Sequence, residues 1–523
     1  MVDDIEQKMR SIPGMDVLLG KEWTVCWQKR LGRETVKRVF NEELSRIRRA
    51  LLDGKDADVS AETLDRTLAA LLAAAERRRL RPVINATGVV VHTNLGRSRL
   101  ADEALRSVED VAGGYSNLEY DLDEGVRGHR NAHVEEILCA LVGAEAALVV
   151  NNNAGAVLLC LSALARGTEV VVSRGELVEI GGSFRIPDIM EFSGAELVET
   201  GTTNRTHLKD YARAVTERTS MLLKVHPSNF RMEGFTSAPE RSELAALAHE
   251  RGLIFMEDAG SGLLIQGRAL GADFAEETDV KTCLSEGVDL VTFSGDKMLG
   301  GPQIGVIAGK KALVDRLRGH PALRALRVDK MTLAAFETTM RLYMRGDYDA
   351  IPTLAMLRRT QESMKAQATR LAGKLRRAVL PAKAASSVAP SVASSTAGTH
   401  VAISVAAVED AVGGGSCPAL PLPGWGVSIA LHRRGGSPSG GSPNGGSPRY
   451  GSGRLQETLR ARELPILCGA REDMLMIHVR TLRPEDESEI VRAFKELNFE
   501  DWDSKRGSRD EGRVMKEENE ERK

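Results

Sequence analysis

The chain of 523 residues is long enough for about two to four domains. Its 42% hydrophobic and 28% charged residues are ordinary for a globular protein and exclude a chain that is disordered throughout. The 71 Lys and Arg residues against 73 Asp and Glu residues exclude a uniformly basic nucleic-acid binder, although a local basic patch remains compatible with them.

Features of export and of metal binding are not found in the sequence. The first residues are acidic and lack the apolar region of a signal peptide, and apolar stretches such as 68–75 are far too short to span a bilayer. The six cysteines form no CxxC pair, so the usual zinc spacing is missing and we predict no metal site. Scattered cysteines in a long chain are typical of reduced thiols, and we expect a cytoplasmic protein without a membrane segment.

Residues 1–80 are predicted to be helical, because apolar residues recur at helical spacing and Gly and Pro are rare after Gly32. Residues 21–49 contain nine basic and four acidic residues, which leaves a local net charge of +5. Such a run is most often a solvated helix face, and it is also what a protein needs to bind a phosphate backbone.

From Arg81 short aliphatic runs alternate with stretches long enough for helices. Six runs have the character of buried strands: 147–150, 169–172, 221–225, 253–256, 290–293 and 305–308. This alternation predicts an α/β domain over 81–350 with a mainly parallel sheet.

A small α+β domain is predicted for 351–500, entered through one long helix over 352–375. Strands are expected at 401–405, 427–431 and 474–479, and a helix at 485–497. Low-complexity insertions are predicted at 383–397, rich in Ala and Ser, and at 435–453, with repeated Gly-Gly-Ser-Pro. Residues 501–523 are expected to be a charged, disordered tail.

Two charged residues follow predicted strands and suggest a catalytic site. Lys297 lies four residues after Phe293, where a predicted strand ends, and an amine held there is a candidate to condense with an aldehyde. Asp258 follows the strand at 253–256, where a carboxylate can keep a pyridine nitrogen protonated. Taken alone, the lysine is equally compatible with a surface charge and the aspartate with a turn cap.

A phosphate cradle is predicted at Asn151-Asn-Asn-Ala-Gly155, which follows a strand and opens a helix expected at 156–165. Ser294 is placed to add a hydroxyl, and an asparagine helix cap is the simpler alternative for the Asn run. The order of cradle, aspartate and lysine, each at a strand end, fits a pyridoxal-phosphate enzyme of the aspartate-aminotransferase fold type (fold type I).

Longer motifs resemble bacterial selenocysteine synthases, the L-seryl-tRNA(Sec) selenium transferases. The resemblance covers roughly 10–500 and departs from the family at the two insertions. It is carried by the stretches 81–97 (RPVINATGVVVHTNLGR), 115–122, 125–130 (GVRGHR), 173–185, 201–205 (GTTNR), 224–230, 293–303 (FSGDKMLGGPQ), 320–330 (HPALRALRVDK) and 412–418.

The resemblance implies a role for each matching residue. Lys297 corresponds to the Schiff-base lysine and Asp258 to the pyridine partner, while Asn152, Asn153, Ala154, Gly155 and Ser294 correspond to phosphate ligands and His226 to a cofactor contact. Arg97, Arg324 and Arg327 resemble the arginines around the substrate pocket, and Thr202 and Thr203 resemble anion-binding threonines. Arg324 and Arg327, three positions apart, are expected to share a helical face.

The activity implied is conversion of L-seryl-tRNA(Sec) to L-selenocysteinyl-tRNA(Sec), by elimination of water and addition of selenium from selenophosphate. The family also implies a homodecamer whose helical N-terminal module holds the tRNA. Two alternatives remain open: a related lyase acting on a small amino acid or amino-sugar acid without RNA, and a tRNA-binding protein with an inactive cofactor fold. The presence of Lys297 and Asp258 disfavours the latter.

Overall fold

The computed structural model describes residues 2–55, 57–180, 184–227, 230, 232–271, 274, 277–379, 393–394, 399–417, 420–433, 451–497 and 499. The predicted insertions lie largely outside these residues, and the predicted tail lies wholly outside them. The chain divides into two compact units, Met1–Pro82 and Val83–Lys523. Among the described residues, no helix combines the length and the apolar character that a bilayer crossing needs.

The helices of the two units are, in chain order, α1 Val2–Ser11, α2 Met15–Leu19, α3 Glu22–Leu31, α4 Arg33–Leu52, α5 Ala61–Glu76, α6 Asp102–Ala112, α7 Ala132–Val142, α8 Asn153–Leu164, α9 Ile186–Ser193, α10 Leu208–Ala214, α11 Arg241–Glu250, α12 Val280–Ser285, α13 Lys311–Arg318, α14 Ala322–Ala325, α15 Lys330–Arg345, α16 Pro352–Leu357, α17 Gln361–Val379, α18 Ser452–Arg460 and α19 Pro484–Lys495. The strands are β1 Ile84–Ala86, β2 Tyr120–Asp121, β3 Val126–Arg127, β4 Ala146–Val150, β5 Glu169–Ser173, β6 Glu179–Ile180, β7 Phe184–Arg185, β8 Glu196–Thr200, β9 Thr219–Val225, β10 Ile254–Gly260, β11 Leu290–Ser294, β12 Gly305–Gly309, β13 Ala393–Ser394, β14 Thr399–Asp410, β15 Leu422–Arg433, β16 Ile466–Arg471 and β17 Met474–His478.

The first unit is helical, as the apolar spacing predicts. In α5 the buried residues Leu64, Leu68 and Leu72 repeat every four positions, so they form one stripe, and this stripe belongs to the same core as Phe40 of α4. Lys21 Nζ pairs with Asp65 Oδ1 at 2.6 Å and ties the start of α3 to α5. Most charged residues of this unit lie at exposed or partly exposed positions; Glu43 of α4 is buried and pairs with Arg46.

The large sheet of the second unit has seven strands in the order β4-β12-β11-β10-β9-β5-β8. Its strands run parallel except β12, which is antiparallel to both β4 and β11. Both faces are covered: Leu148 and Val150 belong to one buried cluster, and Ala147 and Val149 to the other. Burial on both faces explains why these strands have continuous aliphatic sequences.

A second sheet of six strands follows the order β1-β16-β17-β15-β14-β13 and packs against α17. Its first strand comes from the beginning of the unit, since Ile84 pairs in parallel with Ile466. Residues 84–86, which were predicted to belong to the large domain over 81–350, therefore pair in the second sheet.

Three local predictions differ from the structure. The single helix expected over 352–375 is two helices, α16 and α17. They are separate because Thr360 Oγ1 accepts the amide of Ser363 at 3.2 Å at the start of α17, and because the side chain of Arg359 donates to the carbonyl of Val479. The helix after β4 begins at Asn153, three residues earlier than expected. Strand β8 was not predicted, because an edge strand with two glutamates lacks the aliphatic pattern of its neighbours.

Candidate active site

The carboxyl ends of β4, β9, β10 and β11 meet at one edge of the seven-stranded sheet, since these strands are mutually parallel. Asn152 follows β4, His226 follows β9, Asp258 lies in β10 and Lys297 comes three residues after the end of β11. The amide of His226 donates to the carbonyl of Asp258 at 2.9 Å. We call this group, with Asn153 and Ser294, the Lys297 site.

Asp258 is buried, with 3% of its surface exposed. Its Oδ1 accepts hydrogen bonds from Asn153 Nδ2 at 2.8 Å, Thr292 Oγ1 at 3.2 Å and the amide of Gly260 at 3.2 Å. Burial raises the pKa of this carboxyl, while the hydrogen bonds and the nearby charge of Lys297 oppose the rise. The carboxylate is therefore held in place and available to a cationic partner.

Lys297 is also buried, with 5% of its surface exposed. Burial lowers the pKa of its amine, and the positive charge of Arg97 lowers it further, against the opposing charges of Asp258 and Asp296. The turn that carries the lysine is tight: a Cβ on Gly295 would lie 2.4 Å from Ile304 Cγ2 and 2.8 Å from the carbonyl of Pro302. A fixed backbone thus presents an amine that gives up its proton easily.

The amino terminus of α8 lies beside these residues. Asn152 caps the helix, its Oδ1 accepting the amide of Gly155 at 2.9 Å. The strand β12 passes very close, since a Cβ on Gly305 would lie 2.2 Å from the carbonyl of Asn152. The first turn, with Asn153 and Ala154, presents amide groups and the positive end of the helix dipole, which suits a phosphate.

The residues present fit pyridoxal phosphate. The group needs an amine that loses its proton readily, a carboxylate for its ring nitrogen and donors for its phosphate. The Lys297 site has an amine with a lowered pKa, the carboxyl of Asp258 and the amides of the first turn of α8. In the described part of the chain, Asn153 Oδ1 and Asp296 Oδ1 are buried without a hydrogen-bond partner. Buried polar atoms of this kind are expected where a ligand completes the site.

Arg97 contacts the turn that carries Lys297. Its Nη1 donates to Asp296 Oδ2 at 2.8 Å, and its backbone has a φ of +62°, a left-handed conformation that is uncommon for a residue with a side chain. The amide of Ser98 donates to the carbonyl of Asp296 at 3.2 Å. The structure therefore brings this predicted arginine to the Lys297 site.

The other predicted cofactor residues have different surroundings. His226 is partly exposed, and its Nε2 lies 3.6 Å from Glu277 Oε2. Although burial works against it, the contact with His226 holds the pKa of the Glu277 carboxyl below its ordinary value. Ser294 is buried at the end of β11.

Arg324 and Arg327 do not share a helical face, contrary to expectation. The helix α14 is only four residues long and ends at Ala325, so Arg327 lies beyond it. Arg327 Nη1 donates to Glu119 Oε1 at 2.9 Å, whereas Arg324 is exposed. The two arginines therefore have different environments.

Thr202 and Thr203 occupy an exposed loop after β8. Thr202 Oγ1 accepts the amide of Arg205 at 3.1 Å and donates to its carbonyl at 2.9 Å, which closes a tight turn. Thr203 lines an open pocket of about 360 Å³ together with Glu176 and Lys224. The Nζ of Lys224 and Oε1 of Glu176 lie 3.2 Å apart in that pocket.

Three partners of the site were not predicted from the sequence. Thr292 binds Asp258, Asp296 binds Arg97, and Glu119 binds Arg327. Thr292 and Asp296 flank the end of β11, so their nearness to Lys297 was visible, although their hydrogen-bond partners were not. Glu119 lies in a segment without any strand or helix pattern that would place it.

Comparison with known proteins gives consistent matches. A family model described as "SelA: L-seryl-tRNA selenium transferase" matches residues 83–483. The L-seryl-tRNA(Sec) selenium transferase of Geobacter sulfurreducens is 48% identical over 420 residues, which are 80% of this chain and 83% of that protein. The protein of the same name from Moorella thermoacetica is 44% identical over 490 residues, 93% of this chain and 96% of its own length.

A further relative and a solved structure are also similar to this chain. The L-seryl-tRNA(Sec) selenium transferase of Aquifex aeolicus is 42% identical over 466 residues, 88% of this chain and 94% of that protein. The structure of D-glucosaminate-6-phosphate ammonia-lyase superposes with a TM-score of 0.50 at 18% identity, over 80% of this chain and 95% of that one. This structural match concerns the fold alone.

Proposed function

The chain belongs to the L-seryl-tRNA selenium transferase family, and we propose that the family's reaction takes place at the Lys297 site. The enzyme is a transferase with the fold of the aspartate-aminotransferase type, and pyridoxal phosphate is its cofactor. The predicted family, fold type and cofactor are thus confirmed. The reaction converts L-seryl-tRNA(Sec) to L-selenocysteinyl-tRNA(Sec) with selenium from selenophosphate.

One observation carries the assignment of the reaction to this place: an amine with a lowered pKa and a hydrogen-bonded carboxylate are buried at the same strand edge, in Lys297 and Asp258. When bound, pyridoxal phosphate supplies an electron sink that stabilises negative charge at the Cα atom of an amino acid. Lys297 would hold its aldehyde, Asp258 its ring nitrogen, and the first turn of α8 with Ser294 its phosphate.

The chain's own residues then move the protons. The amine of Lys297 is the base that takes the Cα proton of the seryl group, because burial lowers its pKa and favours the neutral form. The proton taken from Cα leaves with the β-hydroxyl group as water. The selenium atom of selenophosphate then bonds to the β-carbon, and Lys297 passes the proton that this selenium carried to Cα. Water hydrolyses the Se–P bond and releases phosphate, which completes the exchange of oxygen for selenium. We propose His226 as a further cofactor contact, because it follows β9 at the same strand edge.

Selenophosphate is an anion, and guanidinium groups suit it. We propose Arg97 and Arg327 as its main ligands, because the first lies against the Lys297 turn and the second is partly buried beside Asn131 and Val149. Arg324, Thr202 and Thr203 remain proposed substrate contacts whose exposure on the surface would suit a larger ligand such as the tRNA end.

The helical unit of residues 1–82 is proposed to bind the tRNA body. Several of its basic side chains are exposed and, within the described residues, make no ion pair: Lys29, Arg33, Lys37, Arg48 and Arg49. The pairs Arg38–Glu42 and Arg30–Glu76 use only part of the local positive charge. Unpaired cations on one helical unit favour an RNA backbone as partner.

The proposal extends to assembly and location. We propose a homodecamer in the cytoplasm, where the charged tRNA is available. Light scattering on the purified protein tests the assembly: a mass of ten chains is expected, and a monomer would contradict it.

A single-turnover assay tests the function. The purified holoenzyme is mixed with seryl-tRNA(Sec) and selenophosphate, and the amino acid released from the tRNA is identified by mass spectrometry. Selenocysteine is expected. Failure to form it, combined with ammonia release from small amino acids or amino-sugar acids, would favour the small-molecule lyase.

A further inference from the structure

Three arginines surround one glutamate next to the Lys297 site. Glu119, Arg127, Arg130 and Arg327 line a pocket of about 240 Å³ that also includes Asn131; we call it the Glu119 pocket. A water molecule takes up about 30 Å³ of liquid volume, so the pocket has room for a tetrahedral oxyanion with some of its water.

The carboxylate of Glu119 occupies the centre of this cluster. Its Oε1 accepts from Arg130 Nη2 at 2.6 Å, from Arg130 Nε at 3.0 Å and from Arg327 Nη1 at 2.9 Å. Its Oε2 accepts from Arg127 Nη2 at 3.2 Å. Three guanidinium charges against one carboxylate leave an excess of positive charge, which favours a further anion.

The pocket adjoins the cradle for the cofactor phosphate. Leu326, the residue before Arg327, accepts the amide of Asn151 through its carbonyl at 3.0 Å, and its Cδ2 would lie 3.1 Å from a Cβ on Gly155. On the other side, the amide of Val149 in β4 donates to Asn131 Oδ1 at 3.0 Å. The Glu119 pocket therefore borders the first turn of α8, where the cofactor phosphate is proposed to bind.

We propose that Glu119 is an internal counter-ion that occupies the guanidinium groups of Arg130 and Arg327 until an oxyanion, selenophosphate in the reaction, takes its place. The inference rests on the proposed function for the identity of that anion. Arginine donates two parallel hydrogen bonds to the two oxygens of a carboxylate, and it binds two oxygens of a phosphate in the same way. The two anions therefore compete for the same guanidinium groups. Glu119 is partly exposed, on a segment that leads into the hairpin of β2 and β3, and its side chain has solvent to turn into.

The test compares Glu119→Gln with Glu124→Gln in the holoenzyme. The amide keeps the size of the side chain but competes less well for guanidinium groups, because it has no charge. Glu124 is the matched control: it is exposed in the same hairpin and outside the residues that line the pocket. Binding of inorganic phosphate is measured by calorimetry, and the KM for selenophosphate by single-turnover transfer.

Glu119→Gln should bind phosphate about tenfold more tightly and lower the KM for selenophosphate by a similar factor. The reason is that the charged carboxylate no longer competes with the anion for the guanidinium groups. Glu124→Gln should stay within twofold of the wild type. The gain in phosphate affinity should disappear in the double variant Glu119→Gln/Arg327→Gln, which would show that it depends on the guanidinium group of Arg327.

Unchanged or weaker phosphate binding in a Glu119→Gln protein that retains its cofactor absorbance and its melting temperature would overturn the proposal. Should Glu119→Gln fail to fold, Glu119→Asp serves as the test variant, because it keeps the charge on a shorter side chain. It should also bind phosphate more tightly than the wild type. Phosphate binding that is unchanged or weaker in this variant would likewise overturn the proposal. Because calorimetry needs no turnover, a wild-type enzyme that binds phosphate but makes no selenocysteine refutes the proposed reaction without refuting the role of Glu119.

Discussion

Asn153 Nδ2 donates to Asp258 Oδ1 across 2.8 Å, so the first residue of α8 holds the buried carboxylate of β10. The helix that is proposed to bind the cofactor phosphate is thereby connected to the residue proposed for its ring nitrogen. This bond also opposes the effect of burial on the pKa of Asp258, because a donor stabilises the ionised carboxylate.

Asn153→Ala should move the acidic limb of the activity profile to higher pH. Burial already raises the pKa of Asp258, and loss of a donor that lowers it raises it further, so the inactive protonated form persists to higher pH. A hydrogen bond to a charged group contributes about 1.5–3 kcal/mol, equivalent to roughly one to two pH units. Single-turnover rates measured from acidic to neutral pH provide the test.

Thr292→Val serves as the matched comparison for Asn153→Ala. Thr292 Oγ1 binds the same Oδ1 atom at the longer distance of 3.2 Å, so a smaller shift in the same direction is expected. Identical profiles for all three proteins would show that the ionisation of Asp258 does not limit the rate.

Lys297→Ala should yield a colourless protein, whereas borohydride treatment of the wild-type holoenzyme should leave a pyridoxyl label on Lys297 that peptide mass mapping can locate.

Arg97→Gln should shift the pH dependence of cofactor uptake by the cofactor-free enzyme to higher pH. Burial first and Arg97 second lower the pKa of the Lys297 amine, so removing the guanidinium charge raises that pKa and delays formation of the neutral amine. Arg106→Gln, at an exposed position, is the control and should not shift it.

Alanine substitutions should rank the three predicted arginines. Arg97 and Arg327 make contacts at or beside the Lys297 site, and each alanine variant should lose about one to two orders of magnitude in kcat/KM for selenium transfer while keeping its cofactor colour. Arg324 is exposed, so its alanine variant should lose less than either. Arg97→Lys should recover only part of the rate, because the planar guanidinium is lost. A ranking with Arg324→Ala as the most damaged protein would contradict this placement.

Gly305→Ala should weaken cofactor binding and stability together. A methyl group there would lie 2.2 Å from the carbonyl of Asn152 and displace the start of α8. Overpacking of this kind costs about 1–3 kcal/mol. Gly319→Ala is the control, because its Cβ would approach nothing closer than 3.7 Å. Thermal melting with and without added pyridoxal phosphate measures both effects, and equal behaviour of the two variants would disprove the steric argument.

The combined variant Lys29→Gln/Arg33→Gln/Lys37→Gln should bind tRNA(Sec) more weakly and with less dependence on salt. Each lost phosphate contact removes roughly 0.7–0.9 from the slope of log affinity against log salt, so the slope should fall by about two to three. Neutralising the exposed Arg106, Lys209 and Lys281 of the second unit is the matched control. Filter binding at several salt concentrations decides between them; equal losses would mean that overall charge, and not the helical unit, governs binding.

Local sequence patterns were enough to predict much of the sheet and several residues of its site. Asp258 and Lys297 were predicted as site residues because each follows or closes an aliphatic run, and such a run can be recognised in the sequence without knowledge of the neighbouring strands. The phosphate cradle proposed at Asn152 was predicted for the same reason.

Partnerships between distant residues were not predictable in this way. Arg97 and Asp296 are 199 positions apart, and Glu119 and Arg327 are 208 apart, so only the folded chain shows that they pair. The expected shared face of Arg324 and Arg327 was wrong because spacing alone does not reveal where a helix ends. In this case α14 stops after four residues.

The position of β1 constrains the order in which the protein can fold during synthesis. Ile84 pairs with Ile466, and the amide of Ile84 donates to the carbonyl of Pro465 at 2.8 Å. During synthesis β1 therefore emerges from the ribosome long before its partner strand β16. The seven-stranded sheet lies wholly between them in the chain and can assemble earlier. Domains generally fold as their residues emerge, and pairing across such a separation is slow. A nascent chain that stalls before residue 466 therefore has a complete Lys297 edge but an unpaired β1, a substrate for chaperones and proteases.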